Sequence, residues 1–403
     1  MATTLAERMN ILQGSASAAV MARVTEMKRQ GADIIGLNVG EPDFATPDHI
    51  KAAAEKAIED NYTKYTPAAG IMELREAIAD KLKNENNIEY SAGEIAVSSG
   101  AKQALFSALM AIVSPGDEVI IPTPCYVSYP EMVRFAGGTP VYALLDQEKY
   151  SLDVKEIEKA VTPRTKAVII CSPNNPTGTV FDEKSLRALA ELAVKYDFFV
   201  IADEVYEKLV YGDAKHFSIG SVSPEMRERT ITVNSFSKTY AMTGWRIGYA
   251  AAREDVIKSI VKIMSQVTSA VNSVSQKAAV EALRGPQDNV AVMVAEFEKR
   301  MKYTVERLNA MPGITCPEIQ GAFYTFFDVT PYIGKEVDGR VLENDSDVCR
   351  YLLDEGKIAL MPGSDYMQKN RLRMSYATSM ENIKEAMDRM EKALSRIRDI
   401  GKM

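Results

Sequence analysis

Ala167-Val168-Ile169-Ile170-Cys171-Ser172-Pro173-Asn174-Asn175-Pro176-Thr177-Gly178, continued by the amphipathic stretch 182–195 and closed by Phe198-Phe199-Val200-Ile201-Ala202-Asp203, decides the fold. Two unbroken apolar runs of strand length flank a segment in which Leu186, Leu189, Ala190, Ala193 and Val194 recur at helical spacing. A strand buried on both faces has no polar alternation, so these runs belong in the middle of a sheet covered by helices on either side.

The same alternation extends outward from about residue 95 to 250. Strands are expected near 95–98, 118–121, 140–143, 167–171, 198–202, 230–234 and 247–250, and helices over 101–113, 126–136, 153–161 and 182–195. Turn-rich clusters such as Ser114-Pro115-Gly116-Asp117 and Ser172–Gly178 fall mostly at strand ends, where open α/β sheets bind ligands. Beyond 250 the chain turns to long helices, 253–266, 273–284 and 288–310, and a mixed α+β tail. This predicts a large α/β unit over 48–295 and a discontinuous small α+β unit made of 1–47 and 296–403, with the boundary inside the 288–310 helix. The first 47 residues are too few to bury a core alone, so they are expected to pack on the C-terminal unit or on another subunit.

Composition removes several classes of function. The 48 basic and 55 acidic side chains leave a charge of −7, without the basic excess that a nucleic-acid partner requires. Cys125, Cys171, Cys316 and Cys349 are far apart, so neither a disulfide framework nor a zinc knuckle is predicted, and free thiols point to a reducing compartment. The two histidines, His49 and His216, have no second His or Cys at ligand spacing, so no metal is expected and both read as structural. The start, Met1 to Arg8, lacks the charge and apolar pattern of a signal peptide, and no apolar stretch approaches the ~18 residues of a membrane span. A cytoplasmic protein with no membrane partner is expected.

Chemistry is concentrated around Lys238, in Ser235-Phe236-Ser237-Lys238-Thr239-Tyr240-Ala241-Met242-Thr243-Gly244-Trp245-Arg246. An ordinary lysine, with a pKa of ~10.4, is a poor nucleophile at pH 7, so one that attacks a carbonyl needs burial or a neighbouring cation. Arg246, eight residues on, is a candidate for that charge and for binding a phosphate. Ser98-Ser99-Gly100-Ala101-Lys102-Gln103 joins a strand to a helix, whose free N–H groups favour an anion; beside Ser235 and Arg246 it reads as a phosphate cup. Asp203 ends an apolar strand, either as a cap of the next turn or as a carboxylate facing a cationic ring nitrogen. Tyr206 and Asn175 are candidates for bonding a ring hydroxyl, and Arg373 for receiving a carboxylate through two parallel bonds. The Ser235-x-x-Lys238 spacing also fits penicillin-recognising serine enzymes, but no Lys-Thr-Gly follows and the one Ser-x-Asn resembling their second element precedes the lysine.

Gly40-Glu41-Pro42-Asp43-Phe44, Lys64-Tyr65-Thr66-Pro67, Ser172–Gly178, Asp203-Glu204-Val205-Tyr206, Ser235–Gly248 and Arg373-Met374-Ser375-Tyr376-Ala377 together resemble the class I pyridoxal-phosphate aminotransferases, most of all the bacterial Iβ aspartate aminotransferases. The resemblance runs in order from about residue 10 to 395. It implies a fold type I homodimer with active sites shared between subunits and pyridoxal 5'-phosphate as cofactor. By matching motifs Lys238 would carry the cofactor, Asp203 face its ring nitrogen, and Tyr206 and Asn175 its ring hydroxyl. The backbone of Gly100, Ala101 and Lys102, with Ser235, Arg246 and Tyr65 of the other subunit, would hold the phosphate. Gly40 and Arg373 would receive the substrate α-carboxylate.

One position departs from the family: Tyr126 stands where tryptophan usually stacks on the ring, which keeps an aromatic face of smaller area. Lys102, Ser15 and Ser17 occupy positions similar to those that receive a distal carboxylate in the Iβ group, which favours a dicarboxylic substrate. Iβ enzymes that also accept prephenate use a lysine three residues before the first of those hydroxyls; Leu12 or Gln13 stands there, so prephenate is not favoured. The resemblance implies transfer of an amino group from an L-amino acid, aspartate first, to 2-oxoglutarate in a ping-pong reaction. The alternatives are the same cofactor scaffold with another substrate or β-lyase outcome and, more remotely, a non-catalytic effector-binding module, for which no DNA-binding segment is visible.

Overall fold

The computed structural model describes residues 5–400 except Gln13 and Ser15; the side chains of residues 7, 8 and 16–19 also fall outside the description. At its centre lies a seven-stranded sheet in the order Ile95–Ser98, Gly248–Ala251, Thr230–Ser235, Phe199–Asp203, Thr165–Cys171, Glu118–Thr123, Thr139–Leu144. Gly248–Ala251 runs antiparallel to both its neighbours, and the other adjacent pairs are parallel.

The apolar runs form strands because both faces are buried and successive side chains alternate between two cores. Val119, Ile121, Ala167, Ile169 and Ile201 enter one core; Ile120, Val168, Ile170, Val200 and Ala202 enter the other. The crossover helix Glu183–Tyr196 covers the second core with Leu186, Leu189, Ala190 and Ala193, and Asp182 starts it by accepting the Ser185 N–H at 2.9 Å. The seven strands and these helices form the expected mostly parallel α/β sheet between helical layers.

Differences from the sequence expectation lie at element ends. Pro122 and Thr123 stay in the sheet, opposite Ala143 and Leu144, so that strand runs two residues further. The helix expected from 126 begins at Ser128, because Tyr126 is held in the preceding loop at the cavity wall.

A three-stranded antiparallel sheet, Met361–Pro362, Arg371–Ser375 and Tyr324–Asp328, forms the C-terminal part and sets Arg373 opposite Phe326 and Met361. Leu372 and Met374 turn into the first core, which leaves the alternate residue Arg373 on the face toward Asn175. The N-terminal segment joins this part: Ile35–Gly36 pairs in parallel with Ile358–Ala359, and Val24 and Ile34 pack on Leu353 and Ala359. Asp288–Ala310 is one helix of 23 residues, burying Met293, Phe297, Arg300, Met301, Thr304 and Leu308 along one face. Among the described residues, no helix is long and apolar enough to cross a membrane.

Candidate active site

Five strands of the large sheet end at one cavity of about 390 Å³. After Ser98 comes the cup; after Thr123, Tyr126; after Cys171, Asn175; Asp203 and Ser235 are themselves last residues of strands. Helix N-termini and unpaired backbone groups gather at this edge, so polar ligands are accommodated there.

Gly100 has φ +81°, in the left-handed region, and a Cβ there would lie 2.5 Å from Arg246 Nη2. Gly248 opens the other wall, since its Cβ would meet the Ala101 nitrogen at 2.7 Å. Gly100 spends its own N–H on Ser98 O at 2.8 Å, so its part in the cup is conformational. The free donors are the N–H groups of Ala101 and Lys102, at the start of the helix Ala101–Ile112. Arg246 is aimed beside them by bonds to Thr243 O (2.8 Å) and Ser99 O (3.3 Å), and Ser235 Oγ accepts the Ser237 N–H at 3.0 Å.

Lys238 extends into the same cavity, where its amine donates to Gly40 O at 2.5 Å. Burial pulls its pKa down to about 8; Glu41 and Asp203 pull the other way, and Arg373 and Arg246 add to the lowering. Asp203 is buried, and burial pushes its carboxyl up to about 6 against the bonds it accepts. Tyr129 Oη donates to Asp203 Oδ2 at 2.6 Å, and the Val205 N–H reaches Oδ1 at 3.3 Å.

Arg373 is 4% exposed. Its Nη1 donates to Asn175 Oδ1 at 3.2 Å and its Nη2 to Asn38 O at 2.6 Å, while Nε has no partner. The guanidinium lies 4.4 Å from the Tyr324 ring centre and 5.0 Å from that of Tyr366. Tyr324 also joins Tyr206, oxygen to oxygen at 2.8 Å, and a Cβ on Gly40 would collide with its hydroxyl. Tyr126 lines the cavity under Lys102, whose Nζ is 5.5 Å from the ring centre.

Lys238, Asp203, Tyr206, Asn175, Ala101, Lys102, Tyr126, Ser235, Arg246, Gly40 and Arg373 thus meet at one place, with Gly100 behind the cup. Tyr65 does not line this cavity and is 95% exposed. Ser15 and Gln13 lie outside the described residues, as does the side chain of Ser17. Two aromatic residues of the site were not singled out from sequence, Tyr129 and Tyr324. Tyr129 stands three residues after Tyr126 at a helix start, a spacing that would have flagged it; Tyr324 carries no such signal.

Beneath the cup, Glu204, Glu207 and His216 bring ligand-type atoms within 4.8 Å of one another. A cation already sits there: Lys81 pairs with Glu207 and donates to Asn86 Oδ1 at 2.7 Å. Asn234 joins this network to the cup, donating to Glu207 Oε1 at 2.8 Å and accepting the Ser235 N–H at 2.7 Å.

One cavity that gathers the start of a helix beside Arg246, a buried carboxylate at Asp203 and a lysine whose pKa burial lowers fits a pyridoxal-phosphate-dependent transferase of fold type I. The orphaned Arg373 Nε and the two free N–H groups of the cup fit a ligand with a phosphate, joined to a substrate with a carboxylate. Comparison with known proteins narrows this. The family model "Aminotransferase class I and II" matches residues 32–390, and the chain belongs to that family. It is 46% identical over 396 residues to the probable aspartate/prephenate aminotransferase of Aquifex aeolicus, covering 98% of this chain and 99% of that one. Against the aspartate aminotransferase of Geobacillus stearothermophilus it is 43% identical over 389 residues, 96% of this chain and 98% of the relative. Among solved structures, the Rhizobium meliloti aspartate aminotransferase superposes with a TM-score of 0.95 at 40% identity, covering 98% and 100% of the two chains. The Thermus thermophilus enzyme with maleate gives 0.92 at 41% identity, covering 97% and 100%. The chain is an aminotransferase that uses pyridoxal phosphate.

Proposed function

We propose that this cavity transfers the amino group of L-aspartate to 2-oxoglutarate. The observation that carries the reading is the convergence of Lys238, Asp203 and Arg373 on one cavity from three distant parts of the chain. Pyridoxal phosphate, when bound, supplies a carbonyl for the amino group and a cationic ring that withdraws electrons from it. Ala101 and Lys102 N–H, Ser235 and Arg246 would hold its phosphate, Asp203 would face the ring nitrogen, and Tyr126 would offer an aromatic face. Tyr206 and Asn175 would bond the ring hydroxyl. Arg373 takes the α-carboxylate of the substrate with the Gly40 backbone, orienting Cα toward Lys238. Lys238 Nζ, with its amine near pKa 8, is suited to take the Cα proton and return it.

Lys102 at the cavity wall supports a dicarboxylic substrate, as does the four-carbon dicarboxylate maleate held by the Thermus relative. The N-terminal serines Ser15 and Ser17 complete that reading from sequence alone. We propose a homodimer in which Tyr65 reaches the partner's phosphate cup; its 95% exposure on a single chain supports this. A cytoplasmic location is supported by four cysteines that are all free and buried. On the same reading the large unit spans 48–295 and the small unit 1–47 with 296–403, a division supported by the pairing of Ile35–Gly36 with Ile358–Ala359.

The test is product analysis on purified protein given aspartate and 2-oxoglutarate. Oxaloacetate and glutamate in equal amounts are expected; pyruvate and ammonia would instead mark a β-lyase. A parallel reaction with prephenate in place of 2-oxoglutarate examines the second activity in the Aquifex relative's name, for which Leu12 and Gln13 offer no lysine.

A further inference from the structure

We propose that Tyr129 is a positioning residue that holds Asp203 by one oxygen, keeping it anionic and reserving its other oxygen for a cationic ring nitrogen. The proposal rests on the role given above to Asp203. Tyr129 is 2% exposed, and its hydroxyl lies 2.6 Å from Asp203 Oδ2, the length of a hydrogen bond to an ionised acceptor. The second oxygen has only the 3.3 Å bond from the Val205 N–H, so it retains capacity to accept a strong donor.

The surroundings explain why such a donor is needed. Asp203 is buried, and burial disfavours its charge. Glu204, next in the chain, opposes ionisation as well, and Cys171 sits opposite Asp203 on the neighbouring strand as a thiol that burial keeps protonated. Lys238 is the cation that favours the anion. The phenol adds a fixed dipole without adding charge, so it stabilises the carboxylate without competing for the ring nitrogen.

Tyr129 is also tied to the stacking position. Its ring meets that of Tyr126 edge to face, with centres 5.5 Å apart and planes at 80°. Helix Ser128–Phe135 therefore fixes a carboxylate and braces the smaller aromatic ring at 126 through one side chain.

The experiment measures equilibrium binding of two ligands to the apoprotein by quenching of the only tryptophan, Trp245, which adjoins Arg246. One ligand is pyridoxal phosphate and the other its analogue with carbon in place of the ring nitrogen. The wild type should prefer the nitrogen-bearing ligand, and Tyr129→Phe, which keeps the ring, should reduce that preference roughly tenfold. Incorporation of 3-fluorotyrosine at position 129, which restores the O–H donor, should return it. A merely structural role would weaken both ligands equally and leave the ratio unchanged, which overturns the proposal, as would loss of the preference in the fluorotyrosine protein. A wild type indifferent to the ring nitrogen would overturn the role of Asp203 itself; a discriminating wild type with an equally discriminating Phe variant would overturn the proposal alone.

Discussion

The Lys238 amine should titrate far below an ordinary lysine, and this can be read without any turnover. Burial takes it from 10.5 to about 8, a difference worth about 3 kcal/mol. At pH 7 about one molecule in ten then has a neutral amine, against about one in three thousand for an exposed lysine. The perturbation is pH, stepped from about 6 to 10 on the apoprotein, with a small aromatic aldehyde that lacks phosphate, so the cup plays no part. Capture on Lys238, fixed by cyanoborohydride and located by mass spectrometry, should rise tenfold per pH unit and level off near 8. Arg246→Ala removes one of the two cations that lower the pKa, so its break should move upward. A wild-type break above about 9.5, where a solvated lysine titrates, would refute the claim that the fold prepares this amine.

The remaining predictions concern the carboxylate anchor and the network under the cup. Arg373→Lys loses the planar fork and the stack on Tyr324, so kcat/KM for aspartate should fall by about 2–4 kcal/mol, roughly 30- to 1000-fold, with little change in cofactor binding; steady-state kinetics beside a binding titration would separate the two. Glu207 is buried, which alone would raise its carboxyl, but Lys81, with His216 and Asn86, more than offsets this and holds it at about 2. Its folded pKa lies below the unfolded value of about 4.5, so its contribution is complete above pH 4.5 and is lost as pH falls toward 2. Lys81→Met should cost about 3–5 kcal/mol in urea unfolding at pH 7 and reverse the sign, the variant gaining stability on acidification from pH 7 to 5 while the Glu207 term of the wild type stays flat.

The fold was legible because the inner strands of the large sheet are buried on both faces. Val168 to Ile170 and Val200 to Ala202 have no polar residue to interrupt them, and the intervening helix repeats its apolar positions regularly. The cup and Asp203 were legible for a related reason, lying at or directly after the end of a buried apolar strand, while Lys238 was legible from its motif Ser235–Arg246. What sequence did not show was pairing across distance. Nothing near Tyr129 points to a carboxylate 74 residues away, and the pair exists because the strand ending in Thr123, which the Tyr129 helix follows, is separated from the one ending in Asp203 by a single strand, Thr165–Cys171. The two-residue strands such as Ile35–Gly36 are similarly invisible, being set by a partner more than three hundred residues on and not by their own composition.

Tyr324 shows how far such pairing reaches into function. Strand Tyr324–Asp328 pairs with Arg371–Ser375, so the position of Tyr324 and that of Arg373 are set by one register. The same phenol bonds Tyr206, and its hydroxyl fills the space a side chain at position 40 would need. Gly40 in turn accepts the Lys238 amine through its carbonyl. A shift of strand Tyr324–Asp328 by about 1 Å would therefore disturb Arg373, Tyr206 and the carbonyl that Lys238 bonds at once, and misplacement on that scale can cost roughly 100-fold in rate. Glycine at 40 is what lets Tyr324 stand this close, since a Cβ there would collide with its hydroxyl oxygen.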